Sequence, residues 1–225
     1  MRTILTDAPD YYDVKVFYAK VSDQVSEEAY QDYIPELPLV LYDKIMRYRL
    51  TQDRKLQFLG KALLLAALRD FGYESNCLED LKFTEFQRPY MDGDIDFNIS
   101  HSGAVVVCAI ARGIKVGIDI EKIVPLDVED YLEVSMNKIQ QVMIQDSSNP
   151  LHSFYTLWTL KESILKGDGR GLNIPLKSVV IDSQLSIGTF QENKWYLRRI
   201  NIEDEYMSHI ALSDNVKNLE VIKKF

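Results

Sequence analysis

The chain has 225 residues, 46% hydrophobic and 27% charged, with a formal net charge of -8. These proportions are those of an ordinary globular protein with a substantial core, not of a disordered chain. A net-acidic protein is repelled by phosphate polymers and anionic lipid, so neither nucleic acid nor a membrane is expected as a partner.

A first strand is predicted over residues 12–21, with Val14, Val16 and Tyr18 on one face. Pro35 and Pro38 mark a turn into a helical region from about Val40. The clearest helix is predicted from Thr51, as N-cap, to about Asp70, because Leu56, Leu59, Leu63 and Ala67 recur at three- and four-residue spacing. Residues 97–99 read as a short strand broken by a Ser100-His101-Ser102-Gly103 turn. The run 104–111 is apolar on both faces, which predicts a central strand. Arg112-Gly113 predicts a hairpin turn into a strand over 116–120. After Pro125 a helix is predicted over 128–145, then a loop over 147–150 and a helix over 154–166 stopped by Gly167 and Gly169. Four strands follow, at 178–181, 185–190, 195–200 and 207–212. This order predicts an α+β fold with largely antiparallel pairing.

The two cysteines, Cys77 and Cys108, stand in apolar surroundings and read as buried thiols of a reducing compartment. The N-terminal segment meets Asp7, Asp10 and Asp13 with no apolar signal core, and no apolar run approaches the roughly 20 residues of a membrane span. A soluble, cytoplasmic protein is the expectation.

Strict alternation along 116–121 puts Val116, Ile118 and Ile120 on one face and Gly117, Asp119 and Glu121 on the other. Carboxylates two apart on a strand lie about 7 Å apart, close enough to share one hard cation. The bland alternative is a solvated polar face. Gly117 argues for a face open to a ligand. In the later helix Leu157, Leu160, Ile164 and Leu165 form an apolar stripe, and Trp158, Glu162 and Lys166 fall together at four-residue spacing. Gly167, Gly169 and Gly171 alternate with Asp168 and Arg170, a loop consistent with a phosphate cradle. A Ser100-His101 nucleophile is disfavoured, since neighbours on a strand point to opposite faces.

Together these segments resemble the 4′-phosphopantetheinyl transferase superfamily, in its larger, pseudo-dimeric, surfactin-synthetase-activating type. The resemblance rests on Phe97-Asn98-Ile99-Ser100-His101-Ser102-Gly103, on Gly117-Ile118-Asp119-Ile120-Glu121-Lys122, and on Trp158-Thr159-Leu160-Lys161-Glu162-Ser163 with Lys166 and Gly169-Arg170-Gly171. It implies two similar subdomains related by a pseudo-twofold, residues 1–113 and 114–225, each a mainly antiparallel sheet with packed helices and with the active site in the cleft between them. It implies transfer of phosphopantetheine from coenzyme A to a serine of an acyl or peptidyl carrier protein, by a monomer. Asp119, Glu121 and Glu162 would hold Mg2+. Ser100, His101, Lys44, Arg88, Lys161 and Lys166 would meet coenzyme A. Glu162 is the candidate base, Lys166 the group at the leaving phosphate, and Asp119 the third catalytic residue. Gln87 stands where the family has a glycine before Arg88, Leu56 where many relatives have an arginine, and Lys138 where some have a glutamate. A catalytically silent coenzyme A-binding relative, or a magnesium phosphotransferase acting on a small molecule, are the alternatives.

Overall fold

The computed structural model describes residues 13–21, 33–74, 76–171 and 174–224. Tyr12, expected to open the first strand, and the acidic residues Asp7 and Asp10 lie outside them.

The described chain carries β1 (Val14–Lys20), α1 (Leu39–Met46), α2 (Thr51–Asp70), β2 (Lys82–Phe83), β3 (Pro89–Tyr90), β4 (Ile95–Ser102), β5 (Val105–Arg112) and β6 (Val116–Lys122). There follow α3 (Glu129–Ser135), α4 (Lys138–Gln145), α5 (Pro150–Asp168), β7 (Val180–Ile181), β8 (Ile187–Phe190), β9 (Asn193–Arg199), β10 (Tyr206–Leu212) and β11 (Glu220–Lys223). One sheet has the order β11-β1-β5-β4, the other β6-β10-β9-β8-β7, and β2 pairs with β3 in a separate ribbon. Every pairing is antiparallel except that of β11 with β1. The α+β class with mainly antiparallel sheets is therefore as expected.

Alternation along the strands builds four layers. On β5, Val106, Cys108 and Ile110 face α2 and its Leu59, Leu63 and Leu64. The intervening Val105, Val107, Ala109 and Ala111 face the second sheet, packing on Ile118, Ile120 and Ile210. Every residue from Val105 to Ala111 is buried, as a strand covered on both faces requires. On the far side of the second sheet lies α5, where Leu160, Ile164 and Leu165 are fully buried. Each such side chain contributes about 1.5–3 kcal/mol relative to exposure.

Several local expectations are corrected. Thr51 is the first residue of α2, not its cap; Leu50 holds the cap position without a side-chain bond. Ser100, His101 and Ser102 continue β4, and the turn is left to Gly103 and Ala104. The strand after Arg112-Gly113 does not pair back on β5 as a hairpin; β6 joins the other sheet beside β10. The helix expected over 128–145 breaks in two, because Asn137 accepts from Gln140 N and Gln140 returns a bond to Asn137 N, a capping box that starts a new helix. The helix expected from residue 154 starts earlier. Asn149 Oδ1 accepts from His152 N at 3.1 Å, and Pro150 suits the first turn. It also runs through Gly167 to Asp168, where Gly169 at φ 97° caps it.

Candidate active site

The site lies where β4, β6 and α5 converge. Strands β4 and β6 are edge strands of different sheets and meet through side chains rather than a backbone ladder. Asp96, Asn98 and Ser102 accept from the backbone N–H of Val116, Ile118 and Lys122 at 2.8, 2.9 and 3.0 Å. Polar side chains at alternate positions thereby satisfy the free edge of β6, each bond contributing about 1 kcal/mol. Ser100 holds the remaining place in this series and turns its hydroxyl to Asp119.

Gly117 lets α5 sit directly on β6. A Cβ there would meet Gly167 Cα at 2.7 Å and collide with Ser163 O and Gly167 N. The face opened by Gly117 thus receives the helix backbone and not, as expected, a ligand. Close approach brings the Trp158–Glu162–Lys166 stripe over Asp119 and Glu121.

Asp119 is buried to 1% exposure. Its Oδ1 accepts from Ser100 Oγ at 3.0 Å and Lys166 Nζ at 2.5 Å, and Lys166 Nζ also donates to Ser100 Oγ at 2.8 Å. Ser102 Oγ donates to Glu121 at 2.7 Å. Burial, then the charges of Asp119 and Glu121, pushes the Glu162 carboxyl up to about 7 against the pull of Lys166. Glu121 is raised by burial and by Asp119, with Ser102, Lys166 and Trp158 opposing. Three carboxylates therefore feel one another, with one ammonium among them.

Among the described residues no three His, Cys, Asp or Glu side chains stand ready-made in metal-holding geometry. The donor set nevertheless fits a hard divalent cation. Asp119 Oδ2 is buried with no hydrogen-bond partner, and the neighbouring carboxylates lack enough positive charge to stay ionised at their ordinary pKa.

The shift of Glu162 has a testable sign. Its folded pKa exceeds the unfolded one, so between about pH 4.5 and 7 the folded protein holds a proton the unfolded chain has lost. Stability should fall as pH rises through this window. In chelator, unfolding free energies from urea titrations at about pH 5 and 8 should differ less for Glu162→Gln than for the wild type, by on the order of 2 kcal/mol. Equal pH dependence in the two proteins would disprove the shift.

The remaining expected residues are dispersed. His101, on the opposite face of β4 from Ser100, has Nε2 3.3 Å from Gln57 Nε2, and its pKa is lowered by burial and then Lys166. Lys44, exposed on α1, has its ammonium 5.2 Å from the Phe83 ring centroid. Arg88 gives both Nη atoms to Asp96, at 3.0 and 2.8 Å, and bonds Val116 O at 3.1 Å, which fastens the β4–β6 junction. Gln87 before it holds φ 64°, the left-handed conformation a glycine adopts freely. Leu56, on the inner face of α2, is buried in the core, so that position is turned away from solvent. Arg170 folds back on Asp168 at 2.6 and 3.0 Å.

Lys161 is not brought to the cluster. It is fully buried, donates to Ser135 O at 2.7 Å and Leu176 O at 3.1 Å, and is pulled down to about 7 by burial. Sequence reading missed Asp96, Asn98 and Ser102, although their two-residue spacing with Ser100 was the available signal.

The 4′-phosphopantetheinyl transferase superfamily matches residues 115–217, a span that includes β6 and α5. The chain is 31% identical to 4′-phosphopantetheinyl transferase gsp of Aneurinibacillus migulanus, over 80% of this chain and 77% of that protein. It is 29% identical to 4′-phosphopantetheinyl transferase Sfp of Bacillus subtilis (strain 168), over 77% and 80%. It is 31% identical to the L-aminoadipate-semialdehyde dehydrogenase-phosphopantetheinyl transferase of Schizosaccharomyces pombe, over 64% and 63%. With the β6 carboxylates, the α5 stripe and this likeness over most of its length, the chain belongs to the 4′-phosphopantetheinyl transferase superfamily.

Proposed function

We propose that this enzyme transfers 4′-phosphopantetheine from coenzyme A to a serine of an acyl or peptidyl carrier protein, at the junction of halves 1–113 and 114–225 related by a pseudo-twofold. The observation that carries the site assignment is the convergence of Asp119, Glu121 and Glu162 with Lys166, Asp119 being left with a buried oxygen that nothing satisfies.

In the reaction the serine oxygen forms a bond to the β-phosphorus of coenzyme A, and the bond from that phosphorus to the bridging oxygen breaks. Adenosine 3′,5′-bisphosphate leaves. Glu162 takes the serine proton. Lys166 moves its ammonium from Asp119 to the leaving phosphate, and Ser100 and His101 bind phosphate oxygens. Asp119, Glu121 and Glu162 would hold magnesium, which when bound supplies Lewis-acid polarisation of the pyrophosphate. Lys44 and Arg88 would hold the nucleotide end, Arg88 by exchanging part of its bonding to Asp96.

The carrier protein docks on the exposed apolar side of α3 and α4, where Val134 is 66%, Ile139 74% and Val142 55% exposed. The protein acts as a monomer in the cytoplasm. Cys77 and Cys108 are buried free thiols, and no helix among the described residues is long and apolar enough to cross a membrane.

Intact-mass spectrometry of apo carrier proteins incubated with this chain, coenzyme A and magnesium tests the reading. The expected result is a gain of one phosphopantetheine, lost on adding a chelator. Magnesium should also raise the melting temperature of the wild type more at pH 8 than at pH 6, where protons compete for Glu162. No mass gain on fatty-acid, polyketide or peptide carriers, despite coenzyme A binding, would overturn it.

A further inference from the structure

A second cavity, of 390 Å³, opens beside the first two turns of α5, within the size range of small-molecule sites. Met143 of α4, Leu157 of α5 and Leu185 give it an apolar wall, and His152, Arg199 and His209 give it polar groups. None of the described residues lining it is acidic, in a chain whose formal charge is -8.

The polar groups converge for a reason of register. Arg199 on β9 is directly opposite His209 on β10, so both side chains stand on the sheet face that α5 covers. Arg199 is exposed and His209 is 4% exposed, which places the cation at the mouth and the imidazole inside. His209 Nδ1 is 2.7 Å from Thr159 Oγ1, which is itself 2.8 Å from Tyr155 O. A hydroxyl has one proton, and the carbonyl can only accept. Thr159 therefore donates to Tyr155 O and accepts from His209 Nδ1–H. The ring is neutral: burial, then Arg199 and His152, brings its pKa down to about 3. Nε2 is thus the acceptor of the ring, in a cavity that Ser153 and Thr156 also line and that has a guanidinium at its mouth.

We propose that this cavity is a binding site for a small, flat hydroxy-carboxylate. The carboxylate pairs with Arg199, the hydroxyl donates to His209 Nε2, and the hydrocarbon body packs on Met143, Leu157 and Leu185. The groups named for this ligand have no part in the reaction assigned above, although His209 is the cross-strand neighbour of Asp119.

Isothermal titration of the full chain with 3-hydroxy-2-naphthoate tests it. Saturable binding of one probe per chain is expected, unchanged by saturating coenzyme A. Arg199→Gln should weaken it about tenfold or more, the loss of a charge-assisted bond, while keeping carrier modification. 2-Naphthol, lacking the carboxylate, should bind the wild type correspondingly weakly, and Leu185→Trp, which fills the cavity, should abolish binding. Urea midpoints confirm that both variants fold. Absence of saturable binding at millimolar probe, displacement by coenzyme A, or indifference to both substitutions would each overturn the proposal.

Discussion

Exchanging Asp119 for asparagine is expected to slow carrier-protein modification by about a thousandfold, the scale on which removal of a central electrostatic group acts. The substitution keeps the volume of the side chain and an acceptor for Ser100 and Lys166, so the fold should survive. What disappears is the charge on a buried group whose second oxygen has no partner within the protein. Initial rates by intact mass, with urea midpoints as the control for folding, separate the two effects. A variant that folds normally and keeps more than a tenth of the wild-type rate would remove Asp119 from the chemistry.

The largest effect on stability is expected from Gly117→Ala. The new Cβ would run into Ser163 O and Gly167 N, backbone atoms of a helix that cannot bend away like a side chain. Either α5 lifts off β6 or the strand recoils; each outcome loosens Leu160, Ile164 and Leu165 from the second sheet. A loss of more than about 3 kcal/mol is expected, the upper range for overpacking. Ala111→Gly, on β5 away from this contact, is the control for handling a small residue in a central strand, and should cost about 1 kcal/mol. A Gly117→Ala protein with an unchanged denaturation midpoint would show that the helix does not rest on this glycine.

The chemistry-bearing elements were legible because their periodicities are clean. Asp119 and Glu121 alternate with fully buried Ile118 and Ile120, and Trp158, Glu162 and Lys166 fall at helical spacing. The reading failed where polar residues face another part of the protein instead of water. Ser100 and Ser102 resembled a turn because polar residues in a strand ordinarily mark an exposed face, yet here they face β6. Lys161 was assigned to the ligand by its place in a motif; the angular step from Glu162 carries it to the buried carbonyls of Ser135 and Leu176. The break between α3 and α4 was readable from Asn137 and Gln140, three apart. The last strand gave little signal, being mostly exposed and paired with a segment remote in sequence.

That last pairing has a consequence for biosynthesis. Lys15 to Tyr18 find their parallel neighbours in Glu220 to Lys223, so an outer border of the first sheet stays uncovered until that distant segment has been made and docks. Parallel contacts between distant segments form slowly, and an unpaired strand border invites association with other chains. The chain is thus most exposed to aggregation until β11 docks on β1, the interval in which a chaperone would have most to protect.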